Sequence, residues 1–276
     1  MAAKKTTKGA QFDMGMFKEA LEYSADVVES TGGRNEMMDA MERMYMLEPE
    51  EEERASQDEK QVKFTVAPDP RNAVNGMSRL LAAAEPMFSV IRKENDDSVD
   101  SGVADDVERY CSILFRQAGR TFGNPLHYEM ALSAIIYGQG SVAITSTRMM
   151  LERAKGLEGA RLERLQELVL QQDYAFDLFD PRHCYPDRGP FWLESHYRET
   201  RVRFSTLLDT YGQQAQDVMD AMMKAGEIRD VDRRTIVTYC DSWNIANHVA
   251  WVKEYTDMPM ATEEHDLPFI PIVSYF

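Results

Sequence analysis

Basic residues are in short supply. The chain of 276 residues carries 31 Lys and Arg against 47 Asp and Glu, a formal net charge of -16. Proteins that grip nucleic acid by its phosphates present a basic face, so tight DNA binding is not expected. An acidic wall that repels a passing polymer is compatible with this balance. Cysteine is scarce as well. Cys111, Cys184 and Cys240 are odd in number and far apart, which argues against a disulfide scaffold and for reduced thiols. No apolar run reaches the roughly 18 residues of a membrane span, so no membrane partner is expected. The opening "MAAKKTTKGAQFD" has Lys4, Lys5 and Lys8 but no apolar stretch after them. It is not a secretory signal, and residues 1–12 read as a flexible basic tail. None of the five histidines sits in HExxH, no cysteine pair has zinc-finger spacing, and there is no internal repeat.

What is present suffices for a packed core: 43% of residues are hydrophobic and 28% charged. The first half reads as helices. In "GVADDVERYCSILFRQAG", Val103, Val107, Tyr110, Cys111, Leu114 and Phe115 recur at helical spacing, which predicts a buried stripe with Cys111 as a small core residue. "MSRLLAAAEPMFSVI" repeats the pattern, with Pro86 as a break. Met37, Met41, Met44 and Tyr45 form a third stripe, read as core filler, with an adaptable docking surface as the alternative. "LEPEEEER" is an acidic run without the glycine turn and alternating oxygen ligands of a calcium loop. "NPLHYEMALSAIIYGQGSVAIT" predicts a buried helix capped by Asn124, with Pro125 in its first position, stopped by Gly138 and Gly140 and running into a strand. Those glycines lack the Lys-Ser/Thr ending of a phosphate loop.

The second half changes character. "LERAKGLEGARLERLQELVLQQ" reads as a charged, exposed helical excursion, followed by the strand "YAFDLFD". "FWLESHYRETRVRF" reads as a long strand, and "STLLDTYG" and "AQDVMDAMMKAG" as short helices, the first capped by Ser205 and ended by Gly212. "RTIVTYCDSW" and "HVAWVKEY" read as a hairpin around "NIAN", and "LPFIPIVSYF" as a last strand whose prolines place it at an edge. The fold class is therefore α+β: a helical N-terminal part over about 13–138, then a strand-rich part with short inserted helices over about 139–276, read as one domain from 13 to 276.

The densest group of chemically able side chains is "FDLFDPRHCYPDRGPF", with Asp180, His183, Cys184 and Asp187. A metal-dependent hydrolase around Asp180, His183 and Asp187 is one reading. Against it, His183 and Cys184 are adjacent, so in an extended segment they point to opposite faces and cannot easily share an ion. Turn chemistry is the better reading. Asp180-Pro181 starts one turn, and Pro186-Asp187-Arg188-Gly189 matches the residue preferences of a second. Arg198, Arg201 and Arg203 offer a phosphate patch or, more in keeping with the acid excess, a solvated strand face or ion pairs. Trp192, Trp243 and Trp251 fit a core better than a base-stacking platform. No catalytic, cofactor or metal residue is assigned from these patterns.

The order of segments resembles the portal proteins of tailed phages, the head-to-tail connector subunits. "ALSAIIYGQGSVAITST" is similar to that family's buried helix ending in Tyr-Gly-x-Gly before a strand. "FDLFDPRHCYPD" resembles its Asp-Pro-x-x-x-Tyr-Pro turn, and "ESHYRETRVRFSTLLDTYG" the strand and short helix that follow. "TIVTYCDSWNIANHVAWV" resembles the hairpin carrying a tryptophan, and "HDLPFIPIVSYF" the strand that leads toward the stem. The match covers about residues 120 to 276, with a looser fit from about 35. The resemblance implies a non-catalytic structural subunit of a homo-oligomeric ring, usually of twelve copies, at one vertex of the capsid. It implies as partners the major capsid protein and scaffold, the terminase, a head-tail adaptor, and double-stranded DNA that passes through without sequence-specific binding. It implies no cofactor, and location in the virion after assembly in the host cytoplasm. The chain resembles the wing region only, since the stem and clip of the family have no counterpart before Phe276. No DNA-contacting residue is carried over, and the wing alone is expected to be monomeric or weakly oligomeric. An acidic helical adaptor that binds through its methionine stripes is the remaining alternative.

Overall fold

A computed structural model describes residues 12–46, 69–83, 89, 101–122, 125–154, 157–189, 193–226, 232–267 and 270–275. The tail before Phe12, the acidic run at 47–54, Pro86, Asn124, Trp192 and Pro268 lie outside the described residues. The fold is α+β, with helices concentrated in the first half and strands in the second. The chain forms two compact units over the span read as one domain. One comprises residues 1–32, 145–173 and 183–273, the other 33–144, 174–182 and 274–276.

The second unit is mainly helical. It contains α2 (Arg34–Met46), α3 (Asp69–Leu81), α4 (Ser101–Phe122) and α5 (Leu126–Tyr137). Helix α5 is the hub, packing against the other three. Its sequence is apolar nearly all round, and no residue from Leu126 to Tyr137 is exposed. Gly138 ends it at φ 74°, and the Gly138 N–H returns to the Ala134 carbonyl. At the start the structure shifts the expected cap by one residue. Pro125 occupies the cap position and its carbonyl accepts from the Tyr128 and Glu129 amides.

The chain then enters β1 (Gly140–Ser146), the middle strand of a three-stranded sheet with β2 (Tyr174–Phe179) and β8 (Ile272–Tyr275) at its edges. The expected edge position of the last strand is thus observed. Leu126 and Val142 are buried together, with Phe115, Met130, Phe176 and Leu178 packed around them.

One helical stripe faces the other way from expectation, and a second does so in part. Met37, Met41 and Met44 are exposed, Met37 to 58%, while Met38 is the residue buried at 3%. Val103, Val107 and Tyr110 of the expected α4 stripe are exposed too and Ala104 is buried, while Cys111, Leu114 and Phe115 of that stripe are partly buried. Helical spacing groups residues on one side, but it does not say which side meets a neighbour.

The first unit is built on an antiparallel five-stranded sheet ordered β3-β4-β5-β6-β7: β3 (Cys184–Arg188), β4 (Leu193–Arg203), β5 (Ile236–Asn244), β6 (Asn247–Val252) and β7 (Ala261–Glu264). One face is covered by α1 (Met14–Ser30), whose Phe17 and Ala20 pack on Tyr185, Tyr197, Cys240, Val249 and Trp251. Asp13 caps that helix, its Oδ1 accepting from the Gly15 and Met16 amides at 2.9 and 3.1 Å. One end of the opposite face is covered by α8 (Phe204–Tyr211) and α9 (Gln213–Ala225). There Phe204, Leu207, Val218 and Met222 meet Val237, Val252 and Met260.

The charged excursion is two helices, α6 (Thr147–Arg153) and α7 (Ala160–Gln171), with Gly159 at φ 57° before the second. Its base is closed by Thr147, whose hydroxyl donates to the Gln172 carbonyl at 2.7 Å.

Two local expectations are corrected. Ser205 does not cap α8: Arg203 holds that position, and the Phe204 and Ser205 amides donate to the Thr235 and Arg233 carbonyls. Pro186 to Arg188 do not turn but finish strand β3, with a register irregularity between Asp187 and Arg188. A proline is tolerated there because β3 is an edge strand, so its missing N–H costs no ladder bond. The β5–β6 hairpin forms where the sequence places it. Asn244 Oδ1 accepts from the Ala246 and Asn247 amides and fixes the short loop.

Candidate functional site

The Asp180–Asp187 segment folds as a brief 3-10 turn, Pro181–His183, leading into β3. Asp180 begins the turn as expected, accepting from the Arg182 amide at 3.0 Å. The same carboxylate is gripped by the Arg182 guanidinium, with Nη2 to Oδ2 at 2.7 Å. Arg182 also pairs with Asp39 at 3.2 Å and with Glu42, and lies 5.9 Å over the Tyr137 ring. The Pro181 carbonyl accepts from Gln139 Nε2 at 3.2 Å and Arg34 Nη2 at 3.4 Å. These contacts tie α2, α5 and the end of β2 together, and they occupy Asp180.

Asp180 belongs to one unit, and His183 and Asp187 to the other. His183 is exposed and Cys184 beside it is buried, the opposed orientation that their adjacency predicts. Asp187 is exposed at the irregular end of the edge strand. Among the described residues no three His, Cys, Asp or Glu side chains stand close enough to hold a metal ion.

The buried polar groups gather elsewhere, on the sheet face that α8 and α9 leave at its other end. Strand register sets His196 on β4 opposite Trp243 on β5, Trp243 opposite His248 on β6, and His248 opposite Glu263 on β7. The next row places Arg198 opposite Asp241. Trp243 and His248 stack with centroids 4.1 Å apart, and His265 lies 5.4 Å from the same indole. Arg198 Nη2 donates to Asp241 Oδ2 at 2.6 Å, and its guanidinium lies 5.9 Å over the Tyr239 ring. The Tyr239 hydroxyl in turn meets that of Tyr211 at 2.7 Å.

Burial sets the protonation states here. It pushes the His196 imidazole down to about 4, with the Asp241 carboxylate opposing and the Arg198 charge adding. His196 is therefore neutral near pH 7. Burial alone would raise Asp241, but the Arg198 guanidinium, then His248 and His196, hold its carboxyl below the usual range. Burial also pushes the Tyr239 phenol well above its ordinary value.

The opposite face has its own polar chain. The Tyr197 hydroxyl touches both Glu199 Oε1 at 2.8 Å and Cys240 Sγ at 3.3 Å, and Lys253 Nζ donates to Glu199 at 2.7 Å. Burial pushes the Cys240 thiol up to about 12, so it stays protonated and is no nucleophile near neutrality. A cavity of about 190 Å³ opens beside α1, lined by Tyr23, Ser195, Ser242, Asn244 and Asn247 among others. Burial raises the Tyr23 phenol to about 12, the Asp187 charge adds to this, and Ser195 opposes it.

Of the three arginines, read as a solvated strand face or ion pairs in preference to a phosphate patch, Arg198 makes an ion pair, while Arg201 and Arg203 are exposed on the other face. Trp243 and Trp251 are core residues as expected. The sequence reading passed over His196, His248, Asp241 and Glu263. The available signal was the two-residue spacing that puts His196 beside Arg198 and Asp241 beside Trp243, but only register joins four strands into one row.

The fold is α+β, and among the described residues buried ionisable groups lie together in adjacent rows of the five-stranded sheet. No protein-family model matches the chain, and no curated protein matches it.

Proposed function

We propose that the chain is the wing region of a tailed-phage portal subunit, a non-catalytic structural part of the ring at one capsid vertex. The supporting observation is the order of elements. The stretches that resemble the family form, in sequence, a buried helix entering a strand (α5–β1), a strand with an Asp-Pro turn (β2–β3), a strand with a short helix (β4–α8), a tryptophan hairpin (β5–β6) and a final strand (β8). In this reading its partners are further copies of itself, usually twelve in all, the major capsid protein and scaffold, the terminase, and a head-tail adaptor. DNA passes without specific contact, in keeping with the net charge of -16.

Immunogold microscopy on particles of the phage that encodes the chain tests this, with label expected at a single vertex. Label spread over the capsid, or its absence from particles, overturns the reading. A gel shift adds a second arm: no retardation of double-stranded DNA is expected near physiological salt, and sequence-specific binding there would favour a DNA-binding module.

The exposed methionines of α2 favour a second reading, an acidic adaptor that docks a partner on that helix. It predicts capture of a defined partner by the monomer, abolished by Met37→Glu with Met41→Glu. The portal reading predicts that vertex label survives that double replacement.

A further inference from the structure

We propose that the cavity between α1 and the polar end of the five-stranded sheet binds a small neutral polyhydroxy compound, a single sugar ring or a cyclic polyol, whatever larger assembly the chain belongs to. The cavity lies wholly within the first unit.

Strand period and register build it. On the face under α1, side chains recur every two residues. Tyr197 on β4, Cys240 on β5 and Val249 on β6 form the apolar part that Phe17 covers. One repeat nearer the β5–β6 loop, the same face carries Ser195, Ser242 and Asn247, with Asn244 opposite Ser195. Hydroxyls and amides thus replace aromatic rings. Helix α1 runs over this end too. Met16, Glu19, Ala20 and Tyr23, spaced as one helical face, roof a cavity of about 190 Å³.

The polar groups below that roof are not spent on the fold. Ser242 is only 8% exposed, yet among the described residues its hydroxyl has no hydrogen-bond partner. A buried hydroxyl left so is costly unless something in the cavity meets it. The half-buried Asn247 carboxamide also makes no hydrogen bond among the described residues. The Tyr23 hydroxyl is buried beside Ser195.

This donor set selects the ligand. The hydroxyls of Tyr23, Ser195 and Ser242 can each give and take hydrogen bonds, and so can the Asn247 carboxamide. Asn244 Oδ1 is taken by the Ala246 and Asn247 amides at 2.9 and 2.6 Å, which leaves its NH2 group to donate. Alcohol groups give and take in the same way. An anion is opposed, since Glu19 lines the cavity, Asp187 stands opposite Ser195 on β3, and no Lys or Arg lines the site among the described residues. A cation would meet the Asn244 NH2 and could use only the accepting half of the hydroxyls. Size narrows the class further. The volume is that of about six waters at roughly 30 Å³ each, below the roughly 300 Å³ at which sites for drug-sized molecules begin. One hydroxylated ring fits and two do not. Met16, Ala20 and Val249 supply apolar surface for the ring carbons.

A ¹H–¹⁵N NMR titration of the full chain near neutral pH tests the proposal, with glucose and myo-inositol as probes. Both are expected to give saturating shifts with Kd of about 1–10 mM. The shifts should be confined to amides over 16–23, at 195 and over 242–247. Sucrose, twice the size, should give no saturating shift there, nor should inorganic phosphate or methylguanidinium. Ser242→Ala should weaken binding by about three- to tenfold, and Tyr23→Phe should act in the same direction. The proposal is overturned if neither ring polyol saturates, or if sucrose moves the same amides equally. Saturation there by phosphate or methylguanidinium instead of the polyols overturns it too, as does unchanged binding in Ser242→Ala. If Ser242→Ala does not fold, Tyr23→Phe decides, and unchanged binding in that variant refutes the site.

Discussion

Arg198 and Asp241 show what one buried pair contributes. Their side chains are 15% and 5% exposed and meet at 2.6 Å. Removing one leaves the other charged, unmatched and away from water. Arg198→Met is expected to cost about 3–5 kcal/mol of unfolding stability, and the double replacement Arg198→Met with Asp241→Leu to recover much of it. Urea unfolding at pH 7.5 checks both, provided the slope with denaturant is unchanged. The pH dependence separates neighbours by window. His196 has its folded value depressed to about 4, so its contribution is full above its unfolded value near 6.5 and is lost as pH falls toward 4. The loss is about 3 kcal/mol at most. Asp241 is also depressed, so its contribution is full above the ordinary 3.8 and is lost only as pH falls below that. Stability measured from pH 7.5 to 3 should therefore fall in two stages, and His196→Leu should flatten the first. A single stage below pH 4 in the wild type would contradict this order.

At the scale of elements, two glycines make a contrast. Gly138 closes α5 at φ 74°, and a Cβ there would meet nothing within 4 Å. Gly138→Ala should therefore cost only the backbone term, about 1 kcal/mol. A Cβ on Gly189 would collide with the Glu194 side chain, but that side chain is exposed and can swing aside, so Gly189→Ala should be close to neutral by thermal melting. The helix α5 itself is core. Ile136 is buried, and Ile136→Asp is expected to unfold its unit, since an unpaired buried charge costs several kcal/mol against a total stability of about 5–15. Its neighbour Ile135 is only partly buried and should tolerate the same change better. Circular dichroism of the two variants side by side tests that ranking.

For the molecule as a whole, chain order and compactness do not coincide. Residues 1–32 join the unit built from 145–173 and 183–273. Helix α1 lays Phe17 edge-on to Trp251 at 6.0 Å and covers Tyr185, Tyr197 and Val249. Deleting residues 1–32 should uncover that aromatic face, seen as strong binding of a hydrophobic dye and a lowered melting temperature. Phe17→Ala should reproduce part of the loss, about 3–5 kcal/mol. A truncated chain that melts like the full one and binds no dye would show that α1 is not the cover.

Much of this was legible in residue order. The helix from Leu126 needed no partner to be recognised, because apolar residues on every side leave no face for water. The β5–β6 hairpin was visible from its alternating residues and the Asn-rich loop, and the edge position of the last strand from its prolines. These are local properties, fixed by backbone geometry and side-chain period over a few residues. The sequence by itself also determined the charge of -16 and the common face of His196 and Arg198, since a strand repeats every two residues. Burial and register were decided only by the tertiary structure. Met38 rather than Met37 faces inward because of where α3 and α5 lie. Pro186 could extend a strand because β4 was there to pair on its other edge. His196, Trp243, His248 and Glu263 share a row because four strands, up to 67 residues apart in His196–Glu263 numbering, align in one register. A contact is a property of two surfaces, and local periodicity describes only one of them.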